Sequence, residues 1–131
     1  MKVVVDTNVL VRFVVRDDEQ QARIAERMLR RATVVVLTLP CLCELVWVLS
    51  RSYGFARQDI AQTLEVILQI PNVELQRATV IHGIALLRGG GDFADGVIAH
   101  EGRRLGAELF ASFDRKAVQL ISAHGDRAEL L

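Results

Sequence analysis

The sequence predicts an α/β domain in which a central, mostly parallel sheet is covered by helices on both faces. Short β-branched runs alternate along the chain with longer segments that carry apolar residues at helical spacing. This alternation is typical of parallel sheets with right-handed helical crossovers. A chain of 131 residues that is 51% hydrophobic can bury one sizeable core. We therefore expect a single three-layer α/β/α domain over residues 1–131.

The first half of the chain predicts two strands and three helices. Residues 2–5 form a β-branched run that predicts a buried strand, and residues 33–39 predict a second strand. Residues 17–31 predict an amphipathic helix that Asp17 or Asp18 caps. Pro40 fits the first turn of a helix that runs to about Tyr53, and residues 59–70 predict another helix.

The second half predicts two more strands and two more helices. A short strand at 73–75 is followed by a helix at 78–87. Three glycines at 89–91 form a loop before a helix that Gly106 ends. Residues 108–113 predict the last strand, which ends at Asp114.

Composition limits the classes of function. The formal net charge is zero, so a polyanionic substrate would have to be held by local basic groups or by metal. No apolar run reaches the roughly 18–20 residues that span a bilayer, and no secretory signal pattern opens the chain. We expect a cytoplasmic protein without membrane contact. Cys41 and Cys43 are spaced unfavourably for a mutual disulfide or a shared zinc site.

Carboxylates follow several of the predicted strand ends. Asp6 and Asp114 each end a strand, where parallel sheets gather their ligand-binding loops. Asp92 and Asp95 begin a helix after the glycine loop, and we expect them at the same edge. Each also has a structural interpretation: a strand-end Asp is often a turn or cap residue, and Asp92 is well placed as an N-cap.

Glu44 stands out because its neighbours from Cys41 to Leu49 are otherwise apolar. A carboxylate in such a helix is expected to face a large desolvation cost and to need a partner. The alternatives are a buried salt bridge, a raised pKa or a cation shared with the other acids. An all-oxygen cluster without His or Cys suits Mg²⁺ or Mn²⁺, and such a site favours hydrolysis of a phosphodiester.

Three segments carry a resemblance to the PIN-domain ribonucleases. VVVDTNVLVR at residues 3–12 resembles their first motif, GGGDFADGVIAH at 89–100 their third, and LFASFDRKA at 109–117 their last. Glu44 stands where the second motif places its acid. The motifs occur in order across almost the whole chain, and its length is similar to that of VapC-type toxins of bacterial toxin–antitoxin pairs.

The resemblance implies roles for individual residues. It assigns the Mg²⁺- or Mn²⁺-binding acidic quartet to Asp6, Glu44, Asp95 and Asp114. Asp92 is an additional acid, and Asn8 and Ser112 would be supporting polar groups. Gly96 stands where Ala is commoner in such proteins, which lowers helix propensity.

The resemblance also implies partners. It predicts an endoribonuclease acting on single-stranded regions of RNA, a homodimer, and a VapB-like antitoxin that blocks the acidic groove. Basic residues close to the motifs are candidate contacts for RNA phosphates. They are Arg12, Arg16, Arg115 and Lys116.

Two other functions fit the same motifs, and two related α/β classes do not. A catalytically inactive PIN-like module that binds RNA or protein, and a nuclease of RNA processing that is not a toxin, both fit the motifs. A response-regulator receiver lacks its required acid and lysine pattern here. A haloacid-dehalogenase-type phosphatase would need an Asp where Asn8 stands, which disfavours a covalent aspartyl mechanism.

Overall fold

The chain forms parallel strands and helices, as the sequence predicts, with seven helices in place of the five expected. A computed structural model describes residues 1–131, which divide into two compact units, Met1–Gln76 and Arg77–Leu131. Every strand pairing is parallel. The α/β class is therefore confirmed, whereas the assignment of the whole chain to a single domain stays a prediction. None of the helices is long and apolar enough to cross a membrane.

The first unit contains a three-stranded sheet and four helices. Its elements are β1 (Lys2–Val4), α1 (Thr7–Val15), α2 (Glu19–Arg31), β2 (Val34–Val36), α3 (Leu39–Arg51), α4 (Arg57–Leu68) and β3 (Val73–Glu74). The strand order is β1-β2-β3, with Val3 opposite Val35 and Val35 opposite Val73. The central position of β2 explains why Val35 is buried, whereas Val4 on the outer strand β1 is 64% exposed, against the expectation of a buried first strand.

The helices of the first unit begin where the sequence supplies caps. Asp18 accepts a hydrogen bond from the Gln21 backbone N–H at 3.1 Å and begins α2. Thr38 begins α3 in the same way, and Pro40 lies in the first turn, where its missing N–H costs nothing. α1 packs against α2 and α3, and α3 packs against α4.

The second unit contains a parallel strand pair and three helices. Its elements are α5 (Arg77–Arg88), α6 (Phe93–Arg104), β4 (Phe110–Ser112), α7 (Arg115–Ala123) and β5 (Ala128–Leu130). β4 pairs with β5, a strand that the sequence did not predict. Leu86, Ala99 and Ile121 bring α5, α6 and α7 together in one buried cluster.

Two glycines allow α5 and α6 to approach closely. A Cβ on Gly96 would lie 2.8 Å from the Gly83 Cα, and a Cβ on Gly83 would lie 2.7 Å from the Phe93 ring. Both separations are shorter than van der Waals contact. Close packing of the two helices therefore explains why Gly96 stands where helix propensity alone would favour Ala.

Gly96→Ala is expected to destabilise the protein by up to about 2 kcal/mol. The clash with the backbone of α5 should cost about 1–3 kcal/mol, which exceeds the gain of about 1 kcal/mol in helix propensity. Urea unfolding measures the change in the free energy of unfolding. Gly102→Ala is the matched control on the same helix, because its Cβ would meet its nearest neighbour, Ala107, only at 3.8 Å. Equal or greater stability of Gly96→Ala would contradict the packing argument.

All three histidines of the protein lie in one cluster in the second unit. The His82 ring centroid is 5.5 Å from that of His100 and 5.8 Å from that of His124. Nε2 of His82 lies 3.8 Å from Oδ2 of Asp126, and neither atom has a hydrogen-bond partner. Burial lowers the pKa of His82, and this effect exceeds the opposing effect of the Asp126 charge. His82 is therefore neutral in the folded protein at pH 7.

Stability is expected to fall as the pH is lowered through about 6.5, the pKa of an unperturbed histidine. The pKa of His82 is lower in the folded than in the unfolded state, so the unfolded state binds the proton more readily. The contribution of neutral His82 to the free energy of unfolding is therefore complete above the unfolded pKa and is lost as the pH falls below it. Thermal unfolding at pH 7.5 and 5.5 should show a smaller pH dependence for His82→Gln than for the wild-type protein. An equal pH dependence in the two proteins would contradict this assignment.

Candidate active site

Asp6 caps the first helix immediately after the first strand. The buried Val5 leads out of β1, and Asp6 turns the chain into α1 by accepting a hydrogen bond at Oδ1 from the Asn8 backbone N–H at 3.0 Å. The carboxylate remains exposed at the end of the sheet. The cap and the proposed ligand role of Asp6 are therefore compatible, and Asn8 contributes its main chain to the turn.

Glu44 lies on the exposed face of α3, which corrects the expectation that it is desolvated. The buried face of this helix consists of Cys41, Leu42, Leu45, Val46 and Leu49. Although nearly every neighbour of Glu44 is apolar, the helix turns its carboxylate to solvent. Glu44 therefore needs no compensating partner for burial.

Asp6 and Glu44 line the same cavity of the first unit. This open cavity has a volume of about 510 Å³, and Thr7, Thr38 and Cys41 also line it. Burial raises the pKa of the Cys41 thiol, a hydrogen bond with Thr7 lowers it, and the charges of Glu44 and Asp6 raise it. A thiol with a raised pKa is a poor nucleophile.

The acids of the second unit gather at the starts of two helices. Asp92 is the N-cap of α6 and accepts from the Ala94 backbone N–H at 3.2 Å. Asp95 lies in the first turn of the same helix and is half-buried. Asp114 is the N-cap of α7 and accepts from the Ala117 backbone N–H at 3.0 Å. The predicted structural roles of Asp92 and Asp114 as caps are confirmed.

Asp95 carries the clearest electrostatic signal of this acidic group. Burial raises its pKa, and the negative charges of Asp92 and Asp114 raise it further. A cation bound near these carboxylates would favour the ionised form of Asp95.

Ser112 supports the last acid through the backbone. Its Oγ accepts a hydrogen bond from the Asp114 N–H at 2.9 Å, which fixes the chain between β4 and α7. Ser112 therefore fixes the main chain at Asp114, and its supporting role in the site stays a prediction.

The sequence matches a known protein family over the segments that carry these acids. A family model of the PIN domain matches residues 3–121, which include all four candidate acids. The chain belongs to the PIN domain family. PIN domains have a nuclease-type fold and are generally hydrolases of nucleic acids. No curated protein matches the sequence.

The carboxylates of this PIN domain do not form a compact metal-binding cluster. No three His, Cys, Asp or Glu side chains form a group that could hold a metal ion on their own. Mg²⁺ does not require such a group, because it usually keeps several waters and is held through one or two carboxylates together with substrate phosphates. Carboxylate oxygens are hard donors, which suit a divalent ion such as Mg²⁺ or Mn²⁺ that is held partly by water and substrate.

The candidate basic residues fall into two classes. Arg12 is paired with Asp17 at 3.2 Å, and Arg16 is paired with Glu26 at 3.1 Å. Arg115 and Lys116 are exposed at the start of α7, directly after Asp114. A Cβ on Gly90 would lie 3.0 Å from Lys116 Nζ, so this ammonium lies against the glycine loop. Arg12 and Arg16 are therefore paired with carboxylates of the chain, whereas Lys116 lies beside the loop that precedes Asp92.

Two threonines of the cavity were missed from the sequence. Thr7 and Thr38 line it beside Asp6 and Glu44, and Thr38 also caps α3 by accepting from the Cys41 N–H at 3.3 Å. The signal for Thr38 was its position shortly before Pro40 at a helix start. Thr7 had no signal beyond its place next to Asp6.

Proposed function

We propose that this PIN domain is an endoribonuclease that depends on Mg²⁺ or Mn²⁺, with Asp6, Glu44, Asp95 and Asp114 as its acidic quartet. The observation that carries the proposal is the PIN-domain match over residues 3–121, which include all four acids. Asp92, Asp95 and Asp114 lie at the starts of α6 and α7, and a bound cation would be favoured by their negative charge. The cavity that Asp6 and Glu44 share supplies two further carboxylates with the same chemistry.

The residues of the chain have separate tasks in this proposal. Asp6, Asp95 and Asp114 hold the metal directly or through water, and Glu44 either binds metal or orients the water that attacks phosphorus. The bound ion supplies positive charge to the phosphodiester and makes a water more acidic. Asp92 and Ser112 position the chain around Asp95 and Asp114, and Lys116 contacts a phosphate of the RNA.

The test of this proposal is cleavage of total RNA by the purified protein. Discrete fragments should form with Mg²⁺ or Mn²⁺ and should be absent with EDTA. Glu44→Gln should lose the activity, whereas Glu65→Gln, on α4, is the control and should keep it. RNA that stays intact with every metal would instead favour a PIN-like module that binds without cleaving.

We further propose that the protein acts in the cytoplasm as the toxin of a VapBC-type pair, forms a homodimer and is inhibited by a VapB-like antitoxin. The four PIN motifs in order and the chain length support this role. Expression of the protein should arrest growth, and co-expression of a short open reading frame next to its gene should restore growth. Cleavage of RNA in vitro without any effect on growth would favour a processing nuclease.

A further inference from the structure

An exposed stripe of α3 starts at Glu44, and its other residues have no role in the proposed reaction. Glu44, Trp47 and Arg51 are separated by three and four residues, so they lie on one face of the helix. All three are exposed, whereas the opposite face forms the core. The stripe starts at the cavity that Glu44 shares with Asp6.

Trp47 is the only tryptophan of the chain and is 58% exposed. Its flat ring system is therefore available to a ligand one helical turn from Glu44. Aromatic side chains in such positions stack on the bases of single-stranded nucleic acids, and they do so with little preference for sequence.

Arg51 adds a cation to the same stripe. It is exposed and has no acidic partner in the chain, unlike Arg12 and Arg16. A guanidinium without a carboxylate partner can bind phosphate in a bidentate manner. From Glu44 to Arg51 the helix rises by about 10 Å, which corresponds to about three nucleotides at 3.4 Å per stacked nucleotide.

We propose that this stripe of α3 binds the single-stranded RNA beside the scissile phosphate, with Trp47 stacked on a base and Arg51 on a neighbouring phosphate. The proposal rests on the proposed ribonuclease function and deepens it, because it assigns the substrate contacts that lie next to Glu44. Single-stranded RNA is the nucleic acid that fits this stripe, since its bases are free to unstack from one another and to stack on an aromatic ring.

The fluorescence of Trp47 gives a direct test. Purified protein is titrated in EDTA, which prevents cleavage, with a 12-nucleotide single-stranded RNA and separately with the same RNA in a duplex. The single strand should quench the emission of Trp47 and protect it from acrylamide, and the duplex should do so much less. Binding of the single strand without any change in the emission of Trp47 would overturn the proposal.

Variants separate stacking from general effects. Binding of labelled RNA, followed by anisotropy, should weaken on the order of tenfold in Trp47→Ala and less in Trp47→Phe. Ile24→Ala removes a side chain of similar exposure from α2 and should leave binding unchanged. Arg51→Ala should reduce the slope of log affinity against log salt by about 0.7, as expected for one lost phosphate contact on a single strand.

Sedimentation of the same variants distinguishes RNA from a second protein copy on this face. If Trp47→Ala dissociates a dimer and leaves RNA affinity unchanged, Trp47 belongs to a protein interface and the proposal is wrong. Metal-dependent RNA cleavage without any change in Trp47 emission on RNA binding would also overturn the stacking proposal, but would leave the ribonuclease function intact. A wild-type protein that neither binds nor cleaves RNA would overturn both.

Discussion

Replacing Asp6 by Asn is expected to reduce RNA cleavage at least about a thousandfold while the protein stays folded. Loss of a metal-binding carboxylate should remove several kcal/mol of transition-state stabilisation, and about 4 kcal/mol corresponds to a thousandfold change in rate. Asn is as good an N-cap as Asp, so the cap of α1 is retained. The variant therefore changes the charge at the sheet end and little else.

Asp18→Asn is the matched control for this experiment. Asp18 also caps a helix of the first unit, where it accepts from the Gln21 N–H in the same manner, but it lies outside the cavity of Asp6 and Glu44. Initial rates of cleavage at saturating Mg²⁺ should be unchanged in this control. If Asp6→Asn cleaves RNA at the wild-type rate, Asp6 is only a cap.

Phe93→Ala is expected to have the largest effect on stability, a loss of about 3–5 kcal/mol in the free energy of unfolding. Phe93 is fully buried between the exposed Asp92 and the half-buried Asp95 on α6, and its ring lies against Gly83 of α5. A cavity at this position should loosen the start of α6 together with its two acids. Urea unfolding followed by circular dichroism measures the loss.

Phe113→Ala serves as the comparison, because this ring is 83% exposed. Its replacement should change the free energy of unfolding by no more than about 0.5 kcal/mol. Similar losses in both phenylalanine variants would mean that Phe93 does not anchor α6.

Local sequence signals predicted most helices and strands, and they were weakest where propensity conflicts with context. α1 was not predicted, because its segment Thr7–Val15 is rich in β-branched valines, which favour strands. The Asp6 cap and burial of Leu10 and Val11 outweigh that preference. β5 was missed because Ala128–Leu130 is short and has no β-branched residue, so only its pairing with β4 defines it.

For the candidate site, too, the sequence predicted the local features and missed those that depend on packing. The sequence placed Asp92 correctly at a helix start and Asp6 and Asp114 correctly after strand ends, because strand ends and caps are local features. It failed for Glu44, since counting apolar neighbours does not reveal which face of α3 turns outward. The exposure of Trp47 was hidden for the same reason, because an apolar residue in an apolar segment is expected in the core.

Binding of Mn²⁺ tests the central claim most directly, namely that the proposed acids bind the metal on which the reaction depends. The affinity is measured by electron paramagnetic resonance of free Mn²⁺ with the wild-type protein and with Asp6→Asn and Asp95→Asn, one variant from each unit. We expect each variant to bind Mn²⁺ at least about tenfold more weakly, because each removes a charged oxygen ligand. Wild-type affinity in either variant would contradict the claim.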